Sequence, residues 1–140
     1  MRGTKEILEQ SSVIAVVGAS RFPEKEAHTV PAEMQDAGFR IIPVNPHADQ
    51  LFGEKVYRRL EDIPEPIDMV DVFRPSEDTP EVVRSAVRIG AKAVWLQLGI
   101  VSEEARRIAD EAGIDYVEDR CLAVERRPSG SAGATRTSEP

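Results

Sequence analysis

Five short apolar runs recur along the chain, at Val13–Val17, Arg40–Val44, Ile67–Phe73, Ala91–Leu98 and Ile114–Glu118, with helical patterns between most of them. Runs of this length read as buried strands rather than helices. Strands alternating with helices need crossover connections. Such crossovers are right-handed and give a mainly parallel sheet with both faces covered. The expected fold class is therefore α/β: a three-layer Rossmann-like domain with a mainly parallel sheet of five to six strands.

The helical stretches carry their own boundary signals. Thr79-Pro80-Glu81 reads as an N-cap, a first-turn proline and a first-turn acid, followed by Val82, Val83, Ala86 and Val87 on one face and Gly90 as the stop. Ser102, Glu103 and Glu104 open another helix, with Ala105, Ile108, Ala109 and Ala112 as its apolar stripe and Gly113 at its end. After the first strand, Pro31 has no N–H for a helical ladder, so a helix is expected to begin between Ala27 and Pro31 and run to Gly38. Thr4–Gln10 reads as a small leading helix. The region 47–66 is the least regular, with an extra edge strand expected at Lys55–Tyr57 and a helical turn at Leu60. Residues 1–127 read as one domain. Residues 128–140, "PSGSAGATRTSEP", hold no apolar anchor and read as a disordered tail.

Charge and cysteine content narrow the function classes. A net charge of −7 argues against broad nucleic-acid or membrane-surface binding, which depends on a basic footprint. No run approaches the roughly 20 apolar residues of a membrane span, and "MRGTKEILEQ" lacks the apolar core of a signal peptide. The lone Cys121 forms no internal disulfide and leaves no cluster for structural zinc. A cytoplasmic location is expected, with no metal.

In an open parallel sheet, ligands bind beyond the carboxyl ends of the strands, where strand order reverses. An order of the 3-2-1-4-5 type puts that point between the first strand and the strand ending at Phe73. Two loops then face each other, Gly18–Lys25 and Phe73–Thr79, both leading to helix N-termini that favour a phosphate. Arg21, Lys25 and Arg74 add positive charge there. The dinucleotide pattern G-x-G-x-x-G places Gly18, Ser20 and Pro23 at its three positions, so two glycines are missing. The second strand ends in Val44-Asn45-Pro46, without the acid that grips an NAD ribose. That disfavours NAD, leaves NADP open and suits the 3′-phosphorylated ADP of coenzyme A.

Together, "IAVVGAS" (14–20), "IPVNP" (42–46), "VDVFRPSED" (70–78), "VWLQLGI" (94–100) and "DRCLAVE" (119–125) resemble the small stand-alone CoA-binding proteins. That family is similar to the CoA-binding N-terminal domain of the succinyl-CoA synthetase alpha subunit. The resemblance implies that Gly18, Ala19 and Ser20 contact coenzyme A or an acyl-CoA, with Lys25 as a phosphate partner. It implies that Val44, Asn45 and Pro46 border the adenosine, Phe73, Arg74 and Pro75 lie along the cofactor, and Gln97, Leu98 and Gly99 edge the crevice. The synthetase's second domain, with its phosphorylated histidine, has no counterpart in the sequence, and His28 and His47 fall in no matching motif. A non-catalytic binding protein with no catalytic residues is thus the leading expectation.

Bland roles stand beside these. Gly18 serves any tight strand-to-helix turn, Asn45-Pro46 a plain turn, and Arg74 an ion pair with Glu77 or Asp78. Trp95 suits core packing, whereas Gln97 at a strand end needs a partner or a ligand. Other functions stay open: an NADP-binding oxidoreductase component, a partner-dependent acyl-CoA ligase subunit, or a module that senses acyl-CoA. A protein partner or a homodimer stays open too, as does a mixed disulfide between Cys121 and the cofactor thiol.

Overall fold

The computed structural model describes residues 2–127. Its sheet is built from β1 (Val13–Val17), β2 (Arg40–Val44), β5 (Met69–Val72), β6 (Ala93–Leu96) and β7 (Asp115–Val117) in the order β2-β1-β5-β6-β7. Every pairing in it is parallel, with Ala15 opposite both Ile42 and Val70, and Asp71 opposite Trp95. β3 (Gln50–Leu51) and β4 (Glu54–Lys55) form a separate antiparallel hairpin.

Alternation along the strands divides two apolar layers. Ile14, Val16, Ile41, Met69 and Trp95 pack on one face against α1 (Thr4–Gln10), α2 (Glu26–Asp36) and α5 (Leu122–Arg126). Ala15, Ile42, Val70, Val72, Val94 and Leu96 pack on the other against α3 (Thr79–Arg88) and α4 (Glu103–Ala112). The fold is the expected three-layer α/β arrangement, and Trp95 is fully buried in it.

Several boundaries move for physical reasons. The edge strand expected at Lys55–Tyr57 is absent as a strand. Lys55 belongs to the hairpin, and Tyr57 makes a single parallel bridge to Val44. The five strands of the sheet therefore run 2-1-3-4-5 in chain order, and the Tyr57 bridge lies beyond β2 where the outer strand of the expected 3-2-1-4-5 order would stand. A short 3-10 turn does form at Leu60–Asp62. The strands expected at Ile67–Phe73, Ala91–Leu98 and Ile114–Glu118 are shorter than those runs, because their ends turn into loops.

α3 is entered through a 3-10 turn at Ser76–Asp78, so Thr79 is its first residue and not a side-chain cap. The Thr79 hydroxyl donates to Ser76 O at 2.7 Å. α4 behaves as expected: Ser102 Oγ accepts the Ala105 N–H at 3.1 Å, and Gly113 closes the helix at φ 75°. α5 had no sequence signal beyond the motif it sits in. The tail expected at 128–140 lies outside the described residues.

The largest departure is α2. It begins at Glu26 with Lys25 at the N-cap, so Pro31 sits inside the helix, contrary to the expected start between Ala27 and Pro31. A proline at this position leaves the carbonyl four residues earlier, that of Ala27, without its helical donor. The Ser20 N–H supplies one, at 3.0 Å. The helix tolerates Pro31 because the loop before it fills the gap.

Candidate functional site

The chain leaves β1 toward β2 on one side and returns across it to β5 on the other, which makes the β1/β5 boundary the switch point. Gly18 stands there at φ 88°, with its N–H on Val44 O at 3.0 Å. A Cβ at this position would lie 2.7 Å from Phe73 O, so the two loops approach as closely as backbone allows. Only glycine combines that approach with a positive φ.

The turn that follows is tied down through side chains. Asn45 Nδ2 donates to Ala19 O at 2.7 Å, while Asn45 Oδ1 accepts the N–H groups of His47 and Ala48 at 2.6 and 2.8 Å. The Ser20 hydroxyl accepts the Phe22 N–H at 3.0 Å. His28 Nδ1 lies 2.7 Å from Ser20 O, and a carbonyl partner requires the proton on that nitrogen. Asn45 thus acts here as a brace between the ends of β1 and β2. Among the described residues, the N–H groups of Ala19 and Arg21 find no acceptor within the protein.

A cleft of about 880 Å³ opens over this turn. Of the residues singled out from sequence, Gly18, Ala19, Ser20, Arg21, Lys25, Asn45 and Phe73 line it. Phe22, Ala27 and the segment His47 to Gln50 also line it, without having been singled out. A second cleft of about 420 Å³ shares Lys25, Ala27 and Phe73 and extends to Gln97 and Leu98. The remaining candidates, Val44, Pro46, Arg74, Pro75 and Gly99, line neither cleft. Val44 is buried and borders a groove of about 250 Å³ with Arg58 and Arg59. The Gly99 N–H donates to Asp119 Oδ1 at 2.7 Å.

The cations differ in availability. Arg74 pairs with Asp78 at 2.9 Å, one of the plain roles the sequence allowed. Arg21 stacks over the Phe22 ring at 4.6 Å. Lys25 is exposed and, among the described residues, forms no ion pair. Gln97, 4% exposed, does find a partner: its Oε1 accepts the Leu122 N–H at 3.1 Å and so caps α5. Cys121 is half-buried at the N-cap of α5, packs against the apolar layer and lines neither cleft.

One polar group beneath the site had no assigned role. Asp71, in the central strand, is fully buried and neither carboxylate oxygen has a hydrogen-bond partner. Burial pushes its pKa well above the ordinary value of 3.8, and the Val72 backbone, too poorly placed to make a hydrogen bond with it, offsets this only in part. The sequence signal was an acid within the apolar run "MVDVF".

A parallel sheet with a glycine turn and a cleft at its switch point defines a Rossmann-like α/β domain. Residues 12–127 match the CoA binding domain family, and the chain belongs to it. The uncharacterized protein YneT of Bacillus subtilis is 45% identical over 120 residues, covering 86% of this chain and 89% of the relative. An ADP-forming acetate–CoA ligase (II) of Archaeoglobus fulgidus is 33% identical over 116 residues, which is 81% of this chain but only 16% of that enzyme. A Thermus thermophilus protein of known structure superposes with a TM-score of 0.83 at 40% identity, covering 89% of this chain and 96% of its own. The chain is thus homologous to a CoA-binding domain that also occurs within ligases. No described helix is long and apolar enough to cross a membrane.

Proposed function

We propose that this protein binds coenzyme A or an acyl-CoA in the paired clefts at the β1/β5 switch point, with the pyrophosphate over the Gly18–Ser20 turn. The observation that carries this reading is the cleft of about 880 Å³ over that turn in a chain of the CoA binding domain family. Its volume suits a nucleotide-sized ligand, since such pockets run to roughly 300–1,000 Å³. Lys25 and Arg21 supply positive charge on the cleft, and the unpaired N–H groups of Ala19 and Arg21 supply donors. The role is binding, with no catalytic residue assigned among the cleft-lining groups.

Isothermal calorimetry with coenzyme A, acetyl-CoA, dephospho-CoA and NADPH tests the reading. Coenzyme A is expected to bind ahead of NADPH. Lys25→Gln is expected to weaken it by about 3- to 10-fold and to flatten its salt dependence. No heat with any CoA species, or preference for NADPH, overturns the proposal.

The Archaeoglobus relative supports a second reading, in which the chain presents its ligand to a separate catalytic protein. Affinity capture in the presence and absence of coenzyme A tests it. Partners unchanged by the ligand argue against that role.

A further inference from the structure

The smaller cleft, about 420 Å³, adjoins the larger one and shares Lys25, Ala27 and Phe73 with it. Resting on the coenzyme A reading, we propose that this cleft is the acyl subsite and selects uncharged apolar acyl groups against carboxylated ones. Lys25, Ala27 and Phe73 stand on both clefts, so the smaller one lies beside the larger within reach of the far end of a ligand whose phosphates sit over the Gly18–Ser20 turn.

Three features of the cleft argue for that occupant. Its apolar wall is formed by Phe73, Leu98 and Ile100, and Leu98 is 64% exposed, an uncovered large side chain at the rim of a pocket. Its buried polar group is Gln97, whose Oε1 is taken by the Leu122 N–H, so the side-chain NH₂ is left to donate to a carbonyl. An amide or a thioester presents such a carbonyl. Its charged members are Glu24, Lys25 and Glu26.

The balance of charge decides selectivity. Glu24 and Glu26 are exposed and, among the described residues, form no ion pair. Lys25 is the single cation on this cleft and is shared with the phosphate end. Once Lys25 meets a phosphate, a terminal carboxylate on the acyl group faces two like charges. At low salt this weakens a carboxylated acyl-CoA by roughly 3- to 10-fold. Each methylene buried against Leu98 strengthens binding by about two- to four-fold until the cleft is filled.

The test is calorimetry on the full chain with coenzyme A and its acetyl, butyryl, hexanoyl and succinyl thioesters, at low and high salt. Affinity is expected to rise from acetyl to butyryl and to fall for succinyl, with the succinyl deficit shrinking at high salt. The double substitution Glu24→Gln with Glu26→Gln is expected to close most of that deficit, and Leu98→Ala to flatten the chain-length dependence. Both sets of side chains are exposed, so loss of fold does not confound them. Succinyl-CoA binding as tightly as butyryl-CoA, or a deficit unchanged in the double variant, overturns the inference. Coenzyme A binding with no acyl discrimination sinks this inference alone. Failure of coenzyme A itself to bind removes both readings.

Discussion

Replacing Gly18 by alanine tests whether the switch point is built on backbone contact. The new Cβ would meet Phe73 O at 2.7 Å and Phe73 C at 3.2 Å, with φ at 88°. A side chain held at positive φ costs about 1–2 kcal/mol. The clash cannot relax freely, because Phe73 N–H is held by Val17 O at 2.9 Å and Gly18 N–H by Val44 O at 3.0 Å. Opening the gap by a few tenths of an ångström stretches at least one of these bonds, which adds about 1–2 kcal/mol. The expected loss is thus about 2–4 kcal/mol. For a domain of this size that lowers the Tm by roughly 8–16 °C.

Gly90→Ala provides the control, since φ there is 77° but nothing lies within 4 Å of the added Cβ. It carries the backbone cost without the clash. Urea and thermal unfolding followed by circular dichroism, on both variants, separate the two contributions. If Gly18→Ala destabilises no more than Gly90→Ala, the close approach of the two loops is not what requires glycine.

Asp71→Asn keeps the shape of the buried side chain and removes its charge. The native carboxyl has a raised pKa, so wild-type stability is fully present below the ordinary value of 3.8 and falls as pH rises toward the folded-state value. The advantage of the Asn variant is expected to grow by about 1.4 kcal/mol per pH unit across that window, as read from urea midpoints between pH 4 and 9. A difference independent of pH refutes the assignment. Pro31→Ala restores an N–H that competes with Ser20 for Ala27 O. Hydrogen exchange at the Ser20 amide is expected to accelerate several-fold with the helix intact, and unchanged protection of that amide contradicts the role given to the Ser20–Ala27 bond.

Local chemistry made much of the domain legible. The strand periodicity, the Ser102 cap and the Gly113 stop act over a few residues, and the structure keeps all of them. The crevice was legible as well, because the turn after the first strand and the turn after Phe73 must meet at a switch point in a parallel sheet. Lys25 and Phe73 follow from that logic and line its clefts, while Gln97 and Leu98, which the family resemblance put at the edge of the crevice, line the smaller one.

What sequence left undecided were partners set by the crossovers. Asn45 and Ala19 are 26 positions apart, and Gln97 and Leu122 are 25 apart, yet each pair is hydrogen-bonded. Pro31 read as a helix boundary because its missing N–H was visible, while the Ser20 N–H that replaces it came from a loop beyond the reach of local propensity.

Sequence by itself determined the alternation of the five sheet strands with α2, α3 and α4 and the glycine turn after the first strand, since both follow from short-range sterics and apolar spacing. Tertiary structure alone decided which polar groups are spent on the fold, which remain for a ligand, and that Asp71 is buried without a partner. A side chain's hydrogen bonds and solvation depend on what the folded sheet brings beside it.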